Sequence, residues 1–190
     1  GTESRLSVLY HGKNQGVGAA VVTGMRAAIK DGGTIIVKMD GDGQMDPALL
    51  PLFVQPILGN EADYTKGNRF FWIEGLKSMP FLRLFGNATL SFLAKFSTGY
   101  WNVFDPTNGY VAIDARVAKE LLKNEVSRRY FFESDILYRL NLLQAVVKDI
   151  PMYARYGDEK SSLKITHIVL PFLAKHCANF LKRIFYNYFL

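Results

Sequence analysis

The alternation of a helical pattern with a buried-strand pattern over residues 17–40 is the feature that most constrains the fold. Apolar residues recur at helical spacing from Val17 to Ile29, and the helix they predict ends at Gly32 and Gly33. The β-branched run TIIVKMD (34–40) follows at once. Such a continuous apolar run is typical of a strand that is buried on both faces of a parallel sheet. A helix followed by a buried strand predicts an α/β fold.

The same alternation continues along the chain. Asp46 and Pro47 supply a helix N-cap and a first helical residue. The predicted strands lie within 8–16, 34–40, 62–69, 108–114 and 145–153, and the predicted helices within 17–33, 47–57, 80–99 and 132–144. We therefore predict a Rossmann-like, mainly parallel sheet with flanking helices.

The segment DGDGQMDP (40–47) directly follows the buried strand 34–40 and places two acids one residue apart. Ligands of open α/β sheets bind beyond the carboxyl ends of the strands. Asp40, Asp42 and the carboxamide of Gln44 offer the oxygen ligands that a hard divalent cation prefers. An ordinary Asp-Gly turn is the alternative interpretation of the same residues.

Basic residues follow the next predicted strand. Lys66 and Arg69 lie in KGNR at its end, and Arg83 lies in the helix beyond. An arginine fork matches the geometry of a phosphate group. Solvated surface charges are the alternative interpretation of each of these residues.

Three further acids and one polar loop are candidates for the site that the aspartate loop and the basic residues suggest. Asp105 precedes a proline turn in DPTNGY, and Glu133 and Asp135 lie at a helix start, where acids also interact with the helix dipole. Either of the helix acids could act as a general base. The loop 154–164, which holds Arg155, could close over a phosphate or serve as a linker.

Composition excludes several other kinds of site. The three histidines show no metal-ligand spacing, and the single cysteine, Cys177, excludes a disulfide framework and a cysteine-ligated zinc site. The formal net charge is +6, of which residues 160–190 carry +5. A charge confined to the C-terminal segment argues against a general nucleic-acid-binding face, and we predict no nucleic-acid partner.

The C-terminal segment predicts an amphipathic helix. Its apolar positions run from Phe172 to Phe189, and the polar residues Lys175, His176, Asn179, Lys182, Arg183 and Asn187 fall on the other side. A basic, aromatic helix of this kind lies in a membrane interface. A core-packing helix with a solvated lysine face is the alternative. The apolar stretch is interrupted by His, Pro and Lys and does not form a complete membrane span.

Several motifs in the same order resemble family 2 glycosyltransferases of the GT-A fold, in the polyprenyl-phosphate (dolichol-phosphate mannose synthase-like) branch. NQGVGAAVVTG, DGDGQMDP, KGNR, DPTNGY, SDILYR and RYGDEKSSLK each resemble one of its motifs. The resemblance runs from about residue 8 to 165. It implies that Asp40, Asp42 and Gln44 hold Mg²⁺ or Mn²⁺, and that Asp135 is the acid of the SDILYR helix.

The resemblance also implies the remaining roles. A nucleotide-sugar is the donor, with Asp40 and Arg155 at its diphosphate. A polyprenyl phosphate is the acceptor, with Arg69 and Arg83 at its phosphate. Asp42, Asp105 and Asp135 are the candidate catalytic residues, and transfer inverts the anomeric carbon.

The resemblance further implies a domain organisation and a location. Residues 1–162 are expected to form a catalytic domain that lacks the family's N-terminal nucleotide-binding strands. Residues 163–190 are expected to form a membrane-interface helix at the cytoplasmic face of a membrane. A saccharide or protein acceptor, and a truncated non-catalytic domain that binds a membrane or a partner, are the alternatives.

Overall fold

The computed structural model describes residues 5–72, 81–153 and 165–189, and for residues 81–83 and 165–169 it describes the backbone alone. The helices are α1 (Val17–Lys30), α2 (Leu50–Leu58), α3 (Phe81–Thr98), α4 (Ala115–Leu121), α5 (Phe132–Leu142) and α6 (Ile165–Phe189). A 3₁₀ turn (Pro47–Leu49) precedes α2. The strands are β1 (Ile35–Lys38), β2 (Tyr64–Asn68), β3 (Val111–Asp114) and β4 (Val147–Pro151).

The four strands form one sheet in the order β1-β3-β2-β4. β3 runs antiparallel to both β1 and β2, whereas β2 and β4 are parallel. The predicted α/β class is confirmed, but the prediction of a mainly parallel sheet is corrected to a mixed sheet. The apolar pattern of a strand reports burial on both faces and carries no information on strand direction, which explains the error.

Helices cover both faces of the sheet, and each face has its own hydrophobic core. The larger core joins the sheet to α1, α4 and α5 through residues such as Met25, Ile113 and Leu137. The smaller core lies under α2, where the ring of Phe53 stacks on that of Tyr110 with centroids 4.0 Å apart. Fixing the sheet from both sides holds the strand ends, and therefore the loops that follow them, in place.

The N-terminal segment differs from the prediction. Residues 6–10 are exposed and pair with none of the described strands, although a short strand was predicted within 8–16. Val8 and Leu9 have the apolar side chains of a strand, but the described residues place no neighbouring strand beside them to complete the ladder. Strand formation requires such a partner, so the local pattern alone is not sufficient.

The orientation of α6 also differs from the prediction. The side chains of His176 and Asn179, predicted on the solvent side, are buried where α6 packs against α3 and α5. The Nδ1 atom of His176 lies 2.7 Å from the Oγ of Ser97, and Arg183 Nη2 donates to the carbonyl of Phe96. The polar side of α6 is therefore divided: His176 and Asn179 face the protein, whereas Lys175, Lys182 and Asn187 remain exposed.

Apolar side chains consequently remain on the outside of this helix pair. On α6 they are Leu170, Leu173, Leu181, Phe185, Tyr186, Tyr188 and Phe189, and on α3 they are Phe85, Phe92 and Phe96. Within the described part of the chain, no helix is long and apolar enough to cross a membrane.

Candidate active site

The loop after β1 holds the paired aspartates. Lys38, the last residue of β1, contacts both carboxylate oxygens of Asp40, with its Nζ 2.8 Å from Oδ1 and 2.9 Å from Oδ2. Lys38 is largely buried, so its ammonium gives the Asp40 carboxylate a defined position at the end of the strand.

The rest of that loop is a compact turn. The backbone N–H of Gln44 donates to Oδ1 of Asp42 over 3.0 Å, and Gly43 between them has φ of 75°, in the left-handed region that glycine adopts without strain. Oδ1 of Asp46 caps the following 3₁₀ turn by accepting from the N–H of Ala48. The segment is therefore an Asp-Gly turn whose two aspartates both line the cavity described below, and the two interpretations of the sequence are compatible.

Arg69 and Asp105 form a second part of the site. Nε and Nη2 of Arg69 donate to Oδ2 and Oδ1 of Asp105 over 2.7 and 3.0 Å, and the backbone N–H of Arg69 also donates to Oδ2 over 3.2 Å. Asp105 has no exposed surface. A buried carboxylate that accepts three bonds from one residue fixes the plane of that guanidinium.

The turn at Asn108 and Gly109 also contributes to the site. Lys66 of β2 is fully buried and donates from Nζ to the carbonyl of Asn108. A Cβ at Gly109 would lie only 2.2 Å from Lys38 Nζ and 2.6 Å from Asp40 Oδ2. Both atoms are the ends of flexible side chains, so a side chain at position 109 would shift the Lys38–Asp40 pair.

Glu133, in the first turn of α5, contributes a carboxyl group to the same place. Burial raises the pKa of Glu133 to about 7, and the ammonium groups of Lys66 and Lys38 act in the opposite direction. Burial also lowers the pKa of Lys66. Glu133 is therefore a carboxyl group that exchanges its proton near neutral pH.

These groups line one polar cavity of about 140 Å³. Its walls are formed by Asp40, Asp42, Gln44, Met45, Arg69, Thr107, Asn108, Gly109, Glu133 and Met152. Three acids and an arginine thus line the same cavity. This arrangement can hold a cation and an anion side by side.

The donor set suits a hard divalent cation. Asp40, Asp42 and Gln44 present carboxylate and amide oxygens to the cavity, the ligand type that Mg²⁺ and Mn²⁺ accept. Among the described residues no three acidic, histidine or cysteine side chains form a complete metal cage. The residues that would hold such an ion are Asp40, Asp42 and Gln44.

The comparisons with known proteins agree with this geometry. The sequence model of glycosyl transferase family 2 matches residues 2–122, more than half of the chain. The chain belongs to glycosyl transferase family 2. The family predicted from the motifs is confirmed.

Relatives within family 2 include two lipid-phosphate glycosyltransferases. The chain is 29% identical over 168 residues to the UDP-N-acetylglucosamine--dolichyl-phosphate N-acetylglucosaminyltransferase of Methanococcus voltae. This alignment covers 88% of the chain and 66% of that protein. It is 27% identical over 136 residues to the polyprenol monophosphomannose synthase of Mycolicibacterium smegmatis, with coverages of 71% and 51%. The chain thus spans about two thirds or less of these relatives.

A solved structure shows the same fold. Glucosyl-3-phosphoglycerate synthase from Mycobacterium tuberculosis, crystallised with Mn²⁺, uridine diphosphate and glucosyl-3-phosphoglycerate, superposes with a TM-score of 0.61 at 18% identity. The alignment covers 90% of this chain and 55% of that one. The predicted GT-A-like fold of this family 2 chain is therefore confirmed.

Most of the described candidate residues come together. Asp40, Asp42, Gln44 and Arg69 all line the cavity, and Asp105 lies directly behind Arg69. The side chain of Arg83 and all of Arg155 lie outside the described residues, so their roles stay predictions.

Asp135 is the candidate that the structure does not bring to the cavity. Its Oδ2 accepts from the backbone N–H of Ser127 over 2.8 Å and from Nε of Arg139 over 3.1 Å, and the residue is buried. Glu133 lines the cavity instead. Residues two apart on a helix point about 200° away from each other, so only one of the two acids can face the site. The acidic pair at a helix start was visible in the sequence, but the side of the helix that faces the cavity was not.

Proposed function

We propose that this family 2 chain transfers a sugar from a nucleotide-sugar to a polyprenyl phosphate, with Mg²⁺ or Mn²⁺. The observation that supports the proposal is the polar cavity, whose lining includes Asp40, Asp42, Gln44 and Arg69. The names of the relatives support these substrate classes for the whole protein.

Asp40, Asp42 and Gln44 form the donor side. They would hold the divalent ion, which when bound stabilises the charge on the leaving diphosphate. The Lys38 ammonium keeps Asp40 aimed into the cavity. Asp42 is kept in place by its own turn through Gln44.

Arg69 forms the acceptor side. Asp105 orients the Arg69 guanidinium and acts through it as a positioning residue. An oxygen of the acceptor phosphate attacks the anomeric carbon, the bond from that carbon to the leaving diphosphate breaks, and the configuration inverts. This nucleophile is already an anion, so the reaction needs no strong general base. Arg83 at the acceptor phosphate and Arg155 at the donor diphosphate complete the proposed set.

A hydroxyl-bearing saccharide or protein acceptor is the second candidate. It is favoured by Glu133, whose pKa of about 7 suits a general base that removes a proton from a hydroxyl group. The two candidates differ in the product: a sugar phosphodiester of a lipid, or a glycoside.

The outer surface of α3 and α6 is the proposed membrane contact, at the cytoplasmic face. Polar groups such as His176 face inward, whereas Leu181 and Phe185 are 66% and 53% exposed. Residues 165–189 include Lys175, Lys182 and Arg183 and no acid, which favours an anionic bilayer.

The transfer proposal is tested with Asp42→Asn. We expect loss of both Mn²⁺ binding and transfer from a panel of nucleotide-sugars, with an unchanged circular dichroism spectrum. Asp31→Asn, at an exposed acid beyond α1, is the control and should behave like the wild type. Near-normal turnover in Asp42→Asn would refute the cation site.

The nature of the acceptor is tested by product analysis. Polyprenyl phosphate and a soluble saccharide are offered in parallel, and the product is identified by mass spectrometry. If the wild type transfers sugar to the saccharide and Glu133→Gln does not, the hydroxyl-bearing acceptor replaces polyprenyl phosphate as the proposed acceptor. Transfer to the lipid phosphate that persists in Glu133→Gln would support the first.

The membrane contact is tested by vesicle sedimentation. Leu181→Asp combined with Phe185→Asp should release the chain from vesicles of phosphatidylglycerol and phosphatidylcholine. Leu58→Asp, which also alters an exposed leucine but at the end of α2, is the control and should not release it. Equal binding by both variants would exclude the α3–α6 surface.

A further inference from the structure

Asp149 of β4 is a charged residue that the proposed function does not use. It is half-buried and is not one of the described residues that line the polar cavity. One of its oxygens, Oδ2, accepts two hydrogen bonds, from Nδ2 of Asn68 over 2.9 Å and from the backbone N–H of Phe104 over 3.0 Å. The carboxylate therefore ties the last residue of β2 and the loop before β3 to β4.

The two donors directly precede the two members of the Arg69–Asp105 pair. Asn68 precedes Arg69, and Phe104 precedes Asp105. Within the pair, three hydrogen bonds of 2.7–3.2 Å run from Arg69 to the Asp105 carboxylate, one of them from the backbone N–H. Bonds of this length hold only while the two chain segments keep their separation. A single oxygen of Asp149 contacts both segments and so sets that separation.

The contact with Asn68 is transmitted to both sides of Arg69. Asn68 is buried, and its Oδ1 accepts from the backbone N–H of Phe70 over 2.9 Å. Its carbonyl accepts from the N–H of Met152 over 3.1 Å. The Asn68 carboxamide therefore links Asp149 to the residue that follows Arg69, so Arg69 lies between two positions that depend on Asp149.

The surroundings of Asp149 are unfavourable for stability alone. Its other oxygen, Oδ1, is buried and accepts no hydrogen bond from the described residues. A buried carboxylate oxygen without a donor costs free energy, and such a group in a native protein needs an explanation. Functional sites commonly retain residues that lower stability. Holding the segments on both sides of the Arg69–Asp105 pair explains why an acid stands at this position.

We infer that Asp149 is a positioning residue for the anion site: by holding Asn68 and Phe104, it fixes the direction in which the Arg69 guanidinium enters the polar cavity. Asp105 holds that guanidinium directly, and Asp149 holds the two segments from which Arg69 and Asp105 project. The inference rests on the proposed function for the ligand of Arg69, a phosphate group. The position of Arg69 itself is measured without a ligand.

The direct test is the Nε–H signal of Arg69 in a proton–nitrogen correlation NMR spectrum of the chain. Arg69→Lys removes this signal and thereby identifies it. The Nε–H group donates to Asp105 over 2.7 Å, so its proton should exchange slowly with water in the wild type. In Asp149→Leu the exchange should be faster by at least about tenfold, because the two hydrogen bonds that hold the neighbouring segments are lost. An unchanged exchange rate in Asp149→Leu would overturn the inference.

A conservative variant and a matched control make the test specific. Asp149→Asn keeps an oxygen that can accept from both donors, so the Arg69 signal should keep the exchange rate of the wild type. The control is Asp63, whose Oδ2 accepts from the N–H of Val146 over 2.7 Å and joins the residues just before β2 and β4. Asp63→Leu should lower the midpoint of urea unfolding and leave the Arg69 signal unchanged. Equal effects of Asp63→Leu and Asp149→Leu on this signal would mean that any loosening of the strand pair suffices, and would overturn the inference.

Asn68→Ala keeps the test decisive where Asp149→Leu does not fold. It removes the carboxamide between Asp149 and Phe70 and leaves the hydrogen bond from Phe104 to Asp149 in place. Exchange of the Arg69 Nε–H proton should again be faster than in the wild type. An Arg69 signal that does not change in Asn68→Ala would contradict the proposed link.

Ligand titrations extend the test to binding. Inorganic phosphate is titrated into the chain and followed by the Arg69 signal, and Mn²⁺ is titrated separately by calorimetry. Asp149→Leu should weaken phosphate binding by roughly tenfold and leave Mn²⁺ binding unchanged, because only the guanidinium loses its fixed direction. Equal weakening of both would indicate a general loss of the cavity and would overturn the inference.

These measurements separate the inference from the proposed function. Absence of phosphate binding by the wild type would refute the proposed anion site at Arg69, while the exchange rate of the ligand-free Arg69 signal would still decide whether Asp149 positions it. Where transfer to prenyl phosphate occurs, Asp149→Leu should raise KM for that acceptor and leave KM for the nucleotide-sugar unchanged. An unchanged KM for prenyl phosphate would refute the role of Asp149 alone.

Discussion

Asp105 and Arg69 form a three-bond contact in which the carboxylate is fully buried and 28% of the arginine side chain remains exposed. Through Arg69, the pair borders the polar cavity. Its contribution to stability and its contribution to binding can be measured separately.

Arg69→Met is expected to destabilise the chain by about 3 kcal/mol, because it leaves a buried carboxylate without its cation. Urea unfolding at pH 7 measures the change. Arg116→Met is the matched control: Arg116 contacts Asp114 through the same kind of fork but is 80% exposed, and its loss should change the midpoint little. Equal effects of the two substitutions would contradict the burial argument.

Gly109→Ala is expected to weaken Mn²⁺ binding by roughly tenfold, because its Cβ shifts the Lys38–Asp40 pair. The atoms that the Cβ meets are ends of flexible side chains, so the free energy of unfolding should change by less than about 1 kcal/mol. Calorimetric titration with Mn²⁺ measures the binding. Gly41→Ala, in the aspartate loop but with open space around its Cβ, should bind Mn²⁺ as the wild type does. Weakened binding in Gly41→Ala alone would place the cation elsewhere in the loop.

Asp149→Asn is expected to stabilise the chain at pH 7 by about 1–3 kcal/mol. Burial raises the pKa of Asp149 from 3.8 to about 6 in the folded state. The folded state therefore binds more protons than the unfolded state between about pH 4 and 6, and stability falls as pH rises through that window. The variant should lack this fall. Parallel unfolding curves of the two proteins across pH 4–7 would contradict the prediction.

His176 is expected to produce a pH dependence of opposite sign. Burial lowers the pKa of His176 from 6.5 to about 4, so the unfolded state binds more protons between these values and stability falls as pH decreases. Hydrogen exchange should show α6 losing protection as pH falls from 6.5 to 4. His176→Phe should reduce this loss. If α6 loses as much protection in His176→Phe as in the wild type, His176 is not the cause of the pH dependence.

The local elements and the residues of the site could be predicted from the sequence. The direction of each strand and the side of each helix that faces the site could not. The run 34–40 formed β1, and Asp46 with Pro47 began a helical turn as predicted. Because these signals are local, they do not depend on which element lies beside them. The insertion of β3 between β1 and β2 depends on long-range pairing, which no local pattern reports.

The same distinction applies to the direction in which helices face. A helical pattern divides α6 into a polar and an apolar side, but of the polar side Lys175, Lys182 and Asn187 are exposed, whereas His176 and Asn179 are buried. At α5 the pair Glu133 and Asp135 was recognised, but the rotation of the helix about its axis decides which acid reaches the cavity. That rotation is set by tertiary packing.

The strand order also sets the width of the polar cavity. β3 lies between β1, which leads into the aspartate loop, and β2, which leads into Arg69, so these two backbones start about two strand spacings, roughly 10 Å, apart. Side chains that reach inward from that separation leave room for a small ion and a phosphate group, which two directly neighbouring strands would not. The antiparallel strand that the local sequence pattern did not predict thus serves as a spacer.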